Sequence, residues 1–186
     1  MCCTLRASAH TAWAARARPG FTRKRILCDI GSHQLEQFLY FAGVENVDIT
    51  FARKANYAHP ATPEFEDFGE CTATAANGVS GYFRVDWFTP DGLRNWGDGR
   101  TFITGTDGYI ELRKFIDLAA GEKRENMVYW ANRQGEFSTN ATGKVGCPFF
   151  GRLIRDCIDR TETAMTQAHA FRAAELCLKA QQMADQ

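Results

Sequence analysis

None of the seven cysteines (Cys2, Cys3, Cys28, Cys71, Cys147, Cys157 and Cys177) belongs to a Cys-x-x-Cys pair. Structural metal sites and disulfide frameworks carry paired spacings of that kind. The pattern therefore reads as free or buried thiols in a reducing compartment, the cytoplasm, with no metal site. A dominant sign of charge is also missing. The 22 basic and 22 acidic residues cancel, so no global field favours nucleic acid or an anionic membrane. No apolar run approaches the roughly 20 residues that span a bilayer. HExxH, GxSxG and GxxxxGK[ST] do not occur, and no GxGxxG follows a strand. Gly97-Asp-Gly99 leads into strand residues, so it cannot seat a pyrophosphate on a helix N-terminus. Asn140-Ala-Thr142 matches a glycosylation acceptor, but without a secretion signal it reads as chance.

Acid is absent from the first 28 residues, which hold Arg6, Arg16, Arg18, Arg23, Lys24 and Arg25. Such a start is similar to an organelle transit peptide. The preferred reading is a basic, disordered leader over 1–25, outside a packed domain that runs from 26 to 186.

What is present suits a globular domain. Hydrophobic residues are 45% and charged residues 24% of 186, enough for one core without disulfides. Ile26-Leu-Cys28 reads as a strand end closing at Asp29. Ser32 then caps a helix, whose inward face is Leu35, Phe38, Leu39 and Ala42 and whose stop is Gly43. The middle reads as sheet. Strands are expected over 47–57, 69–75 and 79–88, the last two joined by Asn77-Gly78, a strong hairpin signal because both residues accept positive φ. In 82–87, Tyr82, Arg84 and Asp86 alternate with Phe83, Val85 and Trp87, which predicts one polar and one buried face. Further strands are expected over 100–104 and 109–115, with a weaker hairpin over 127–131 and 135–138. The C-terminus is helical. Phe150, Leu153, Ile154 and Cys157 share one stripe. Thr166 caps a second helix with Ala170, Ala173, Ala174 and Cys177 on one side. This order predicts an α+β fold, an open, mostly antiparallel sheet with helices on one face. Helices over 32–42 and 150–158 are expected to cover that face.

Two places carry chemistry. Asp29 and His33 stand four positions apart, so both side chains reach one spot. Histidine moves protons near neutral pH, and a carboxylate beside it supports its charged form. Oxidation of an alcohol by hydride transfer needs such a base. A structural cap or hydrogen-bond pair is the competing reading. The second place is the loop after the central strand, where Trp87, Asp91, Asn95, Trp96 and Asp98 offer stacking planes and hydrogen-bond partners for a polyhydroxylated ligand. A long hairpin connection whose tryptophans cover the sheet edge would look the same. His10, His59 and His169 are isolated.

Ile26-Leu-Cys-Asp-Ile-Gly-Ser-His-Gln34 resembles the Asp-x-Gly-x-His signature of the glucose–fructose oxidoreductase and inositol dehydrogenase family, Gfo/Idh/MocA. The likeness runs on through Glu66-Asp-Phe-Gly-Glu70, Gly81-Tyr-Phe-Arg-Val-Asp-Trp87, Gly105-Thr-Asp-Gly-Tyr-Ile-Glu-Leu112 and 161–171, in family order. It covers Ile26 to the end. The resemblance implies the C-terminal, substrate-binding domain of an NAD- or NADP-dependent oxidoreductase acting on a sugar or polyol. It implies His33 as proton-transfer group, Asp29 beside it, and an open sheet that forms a homo-oligomer. The family's nucleotide-binding Rossmann domain and its Glu-Lys-Pro lysine have no counterpart here, so the chain alone is expected not to bind the dinucleotide and to be inactive by itself. Arg23-Lys-Arg25 replaces the usual glycines, as an interruption of the family sequence near Ile26 would do. A non-catalytic assembly module that dimerises through the sheet is the alternative, and a separate Rossmann chain that completes the enzyme is a third.

Overall fold

Asn77-Gly78 turns the chain as expected. Gly78 sits at φ +83°, and the flanking amide of Ala75 donates to the carbonyl of Val79 at 2.7 Å. From this hairpin the architecture grows in both directions. A computed structural model of the protein describes residues 3–10, 25–95, 97–121 and 125–186, with the backbone alone for 3–10. In chain order the elements are β1 (Cys3–His10), α1 (Ile26–Asp29), α2 (Gly31–Ala42), β2 (Val47–Ala55), β3 (Phe68–Ala75), β4 (Ser80–Thr89), β5 (Gly99–Thr104), β6 (Gly108–Lys114), β7 (Met127–Asn132), β8 (Gly135–Asn140), α3 (Pro148–Asp159) and α4 (Gln167–Ala184). The strands form one sheet of eight in the order β2-β3-β4-β1-β5-β6-β7-β8. Every neighbouring pair is antiparallel except β1 and β4. The fold is therefore α+β with an open, mostly antiparallel sheet.

The alternation in β4 sets the two faces. Phe83, Val85 and Trp87 are 1%, 1% and 6% exposed and point at the helices, as do their β3 partners Cys71 and Gly69. Opposite α2, Gly81 leaves room for the Phe38 ring, since a Cβ there would lie 2.9 Å from Phe38 Cδ2. Phe38 meets Phe83 edge-on at 5.7 Å. α4 closes this layer with Ala173, Leu176, Cys177 and Ala180 inward; small residues there permit a close approach. Its first turn is capped as expected, Thr166 Oγ1 accepting from the His169 amide. Gly43 ends α2 in the left-handed region at φ +62°.

Five expectations need correction. Residues 3–10 are a central strand rather than part of a leader, paired with β4 from Thr4↔Tyr82 onward and with β5 from Cys3↔Ile103 onward. Without it, β4 and β5 would each leave an open edge of unpaired amides. The remainder of the expected leader, 11–24, lies outside the described residues. Ile26–Asp29 is helical instead of a strand end. Its buried positions 26, 27 and 30 continue into 34, 35, 38 and 39, a helical period that three consecutive apolar residues alone could not reveal. Ser32 does not cap; its hydroxyl donates back to the carbonyl of Asp29 at 2.7 Å. Finally, α3 leaves its apolar stripe exposed, with Phe150, Ile154 and Ile158 each more than 60% accessible. The helices that cover the sheet are α1, α2 and α4. On α4, Ala170 and Ala174 face solvent.

Candidate functional site

Asp29 ends α1 and His33 lies in the first turn of α2. The residue between the helices, Ile30, keeps helical angles (φ −79°, ψ −39°), and its amide donates to the carbonyl of Ile26 at 3.0 Å. The backbone thus carries one helical path through both elements. Asp29 and His33 fall one turn apart on its outer side. Both side chains are exposed. Glu36 continues the same side of α2 and accepts from His169 of α4, Nε2 to Oε1 3.0 Å. So His169, isolated in the sequence, is part of a helix-to-helix link.

What fixes this path is buried beneath it. Ile26 and Leu27 are 0% and 1% exposed, and both rest on Gly69 of β3. The amide of Ile26 donates to Glu66 Oε2 at 3.0 Å. Glu66 Oε1 accepts from Lys54 Nζ and from Gln181 Nε2, each at 2.9 Å. Lys54 also bonds Asp185. Burial alone would lower the Lys54 ammonium, but its hydrogen bonds to Asp185 and Glu66 hold it above its usual value. The Lys54 contact holds the Asp185 carboxyl below its own.

The loop after β4 is divided. Trp87 belongs to the core, with its ring 6.1 Å from Phe65 and no face for a ligand. Asp98 is engaged by Arg100 at 3.0 Å. Asp91 is exposed and Asn95 half-buried. Trp96 lies outside the described residues. Loop and signature pair start from the same end of the sheet. The Trp87 amide donates to the carbonyl of Asp67, the neighbour of the Glu66 that holds α1. At that end sits a second histidine–carboxylate pair that spacing did not reveal. His59 Nδ1 is 2.9 Å from Asp67 Oδ2. Asp67 is fully buried and also accepts from the amides of Tyr57 and Ala58, which makes it a loop clasp.

The face of the sheet away from the helices is polar with aromatic interruptions. Arg53 meets Glu70 at 2.7 Å, and the Tyr82 hydroxyl donates to Glu70 at 2.6 Å. Burial and that hydrogen bond push the Tyr82 hydroxyl up to about 12. Arg113 bridges Glu111 at 2.6 Å and Asp117 at 2.9 Å. Burial opposes ionisation of Asp117, yet hydrogen bonds from Tyr129 and Arg113 outweigh it and hold the carboxyl low. Phe51, Phe102 and Tyr109 stand among these groups, 38–50% exposed.

Among the described residues no group of three or more His, Cys, Asp or Glu side chains is placed to hold a metal ion, and no helix is long and apolar enough to cross a membrane.

Known proteins resemble the chain along almost its whole length. An oxidoreductase structure from Erwinia carotovora atroseptica is 47% identical, with a TM-score of 0.88, over 98% of this chain and 55% of that one. An oxidoreductase from Agrobacterium radiobacter, solved with NAD+, L-tartaric acid and magnesium, is 16% identical with a TM-score of 0.75, over 100% and 54%. The UDP-N-acetylglucosamine 3-dehydrogenase of Acidithiobacillus ferrooxidans is 13% identical with a TM-score of 0.71, over 98% and 52%. This chain thus spans about half the length of the solved structures it matches. No curated protein matches it. The family model for the GFO/IDH/MocA C-terminal domain matches residues 2–111, a span that begins before β1, and the chain belongs to that family of oxidoreductase domains.

Proposed function

We propose that the chain is the substrate-binding and oligomerisation domain of an NAD- or NADP-dependent oxidoreductase acting on a CH–OH group of a sugar, polyol or related hydroxy compound. The observation that carries this reading is that Asp29 and His33 lie exposed one turn apart on a helical path whose inner side is locked in the core. In the reaction, the substrate C–H bond breaks and its hydride leaves to an acceptor. The hydroxyl proton passes to the His33 imidazole, and the Asp29 carboxylate supports the imidazolium that forms. The nicotinamide supplies hydride acceptance when bound. A separate dinucleotide-binding unit, the Rossmann domain that the family resemblance implies, holds it. Asp91, Asn95 and Asp98 line the substrate side, while Trp87 supports them from the core. Free thiols at Cys28, Cys71, Cys147, Cys157 and Cys177 suit a reducing cytoplasm.

The test is a panel of polyols, sugars and hydroxy acids added to the isotope-labelled chain. Saturable shifts confined to 29–33 and 91–98, lost in His33→Ala, are expected. Saturation without movement at either segment would sink the assignment. Added dinucleotide should show no micromolar binding by calorimetry, because a Kd near 1 μM needs about 8 kcal/mol of organised contact. The interleaved aromatics Phe51, Phe102 and Tyr109 favour self-association through the open sheet face. A single monomeric species across a hundredfold dilution in sedimentation would refute that part.

A further inference from the structure

α1 has no cap of its own. Arg25 at its N-cap makes no side-chain capping bond, and the first amides of a helix lack partners within it. The amide of Ile26 is instead taken by Glu66, 40 residues away. That carboxylate is 9% exposed, and its other oxygen is fixed by Lys54 of β2 and Gln181 of α4 at 2.9 Å each. Gln181 is fully buried. Three residues beyond Glu66, Gly69 supplies the seat. A Cβ there would lie 2.7 Å from Ile26 Cγ2 and 3.0 Å from Leu27 Cδ2, so α1 touches the backbone of β3 directly. Close seating fixes how deep the helix lies. The Glu66 bond fixes its start and hence its rotation, and through it where Asp29 points three residues later.

We infer that Glu66 is a positioning residue for the Asp29–His33 pair, acting through the Ile26 amide and itself oriented by Gln181 and Lys54. The inference rests on the reading of that pair as the proton-transfer site. Glu66→Gln keeps the shape of the side chain but replaces a charge-assisted bond to the amide by a weaker neutral one. It also leaves Lys54 with Asp185 alone.

The experiment uses the full chain and two readouts: amide exchange over 26–30, and the change in the His33 ring resonances on Asp29→Asn at one fixed pH. In the wild-type chain, Asp29→Asn should move the His33 ring resonances, as two side chains one helical turn apart allow. In Glu66→Gln, exchange over 26–30 should quicken at least tenfold, and the effect of Asp29→Asn on His33 should fall below half its wild-type size. If Glu66→Gln does not fold, Gln181→Leu, which leaves the Ile26 bond in place, should move both readouts the same way by less. Full-sized coupling in either folded variant overturns the positioning role alone. No effect of Asp29→Asn in the wild-type chain overturns the pair reading and this inference with it. Unchanged coupling with faster exchange shows that Glu66 serves stability only.

Discussion

The two halves of the sheet are built on different physics. β2, β3 and β4 lie under α1, α2 and α4. The contiguous apolar core is drawn from these elements and from the segments that join them. β5 to β8 contribute nothing to that core. On the helix side, Ile110 of β6 and Phe137 of β8 are about 40% exposed. Trp130 stacks on Phe137 at 5.4 Å rather than under a helix. The outer half is held by ladder hydrogen bonds and by the charged network of Arg100, Glu111, Arg113 and Asp117 on the other face. Burial of apolar area thus stabilises one half, and hydrogen bonding with partly exposed ion pairs the other. Partly exposed pairs contribute little each. The signature pair stands on the first half, where precise placement is available.

The sharpest way to break that comparison is to remove one large ring from each half. Phe83→Ala empties a site that is 1% exposed and should cost about 3–5 kcal/mol in urea unfolding. Phe137→Ala, already 40% exposed, should cost under about 1 kcal/mol. Equal losses would mean that the outer half is as tightly packed as the inner. Between these lies Gly69→Ala. It forces a methyl against Ile26 and Leu27 and should cost about 1–3 kcal/mol, whereas Gly92→Ala meets nothing within 4 Å and should leave the midpoint unchanged.

The thiols sharpen the contrast chemically. Burial pushes Cys71 and Cys177, both in the inner half, up to about 12. Cys147 and Cys157, at α3, are exposed. A thiol reagent near pH 8 should label the exposed pair at once and reach Cys71 and Cys177 only on global unfolding. The sign for stability follows from the same shift. A thiol raised in the folded chain stabilises it fully below the unfolded value near 9, and that stability drains as pH rises from 9 toward 12. The loss is about 1.4 kcal/mol per pH unit for each thiol. An alkaline midpoint shift in wild type that persists unchanged in Cys71→Ala would contradict this.

Strand by strand, the sequence made most of the sheet legible, because alternation and the Asn77-Gly78 turn are local signals. β1 was hidden, since a composition dominated by Arg6 and its neighbours points to a leader and only long-range pairing with Tyr82–Thr89 makes 3–10 a strand. α1 was misread because Ile26-Leu-Cys28 is too short to show a period by itself. Asp29 and His33 stand out in the sequence by their spacing, and the structure leaves both exposed. The residues beneath them, Glu66 and Gln181, were not legible, because Glu66 meets Ile26 across 40 positions and Gln181 meets Glu66 across 115, and no spacing rule reaches that far. Trp87 carried two signals, the alternation that sets it with Phe83 and Val85 and its nearness to the loop, and the structure follows the first.

The smallest expected effect concerns how α3 is held at all, given that its apolar stripe is uncovered. Its last turn is pinned by Asp156, whose Oδ1 accepts from the hydroxyls of Thr161 and Thr163 and the amide of Thr163. Its Oδ2 accepts from the amide of Ala164 at 2.8 Å. Arg160 takes the left-handed conformation at φ +57° to make this turn. The Thr161 hydroxyl first, then the amides of Ala164 and Thr163, hold the Asp156 carboxyl far below its usual value. A carboxyl lowered in the folded chain stabilises it above the unfolded value near 4, and that contribution is lost as pH falls further. Acid should therefore loosen the α3–α4 turn gradually below pH 4. Asp156→Asn, which keeps one acceptor oxygen but turns the other into a donor facing an amide, should loosen it at neutral pH. Amide exchange at Thr163 and Ala164 is the measure. It should rise in Asp156→Asn while the exchange of β3 and β4 stays at its wild-type rate, since the core of the inner half does not touch this turn. Faster exchange spread over both regions would show that the outer helix and the core unfold as one unit, and the division between the halves would fall.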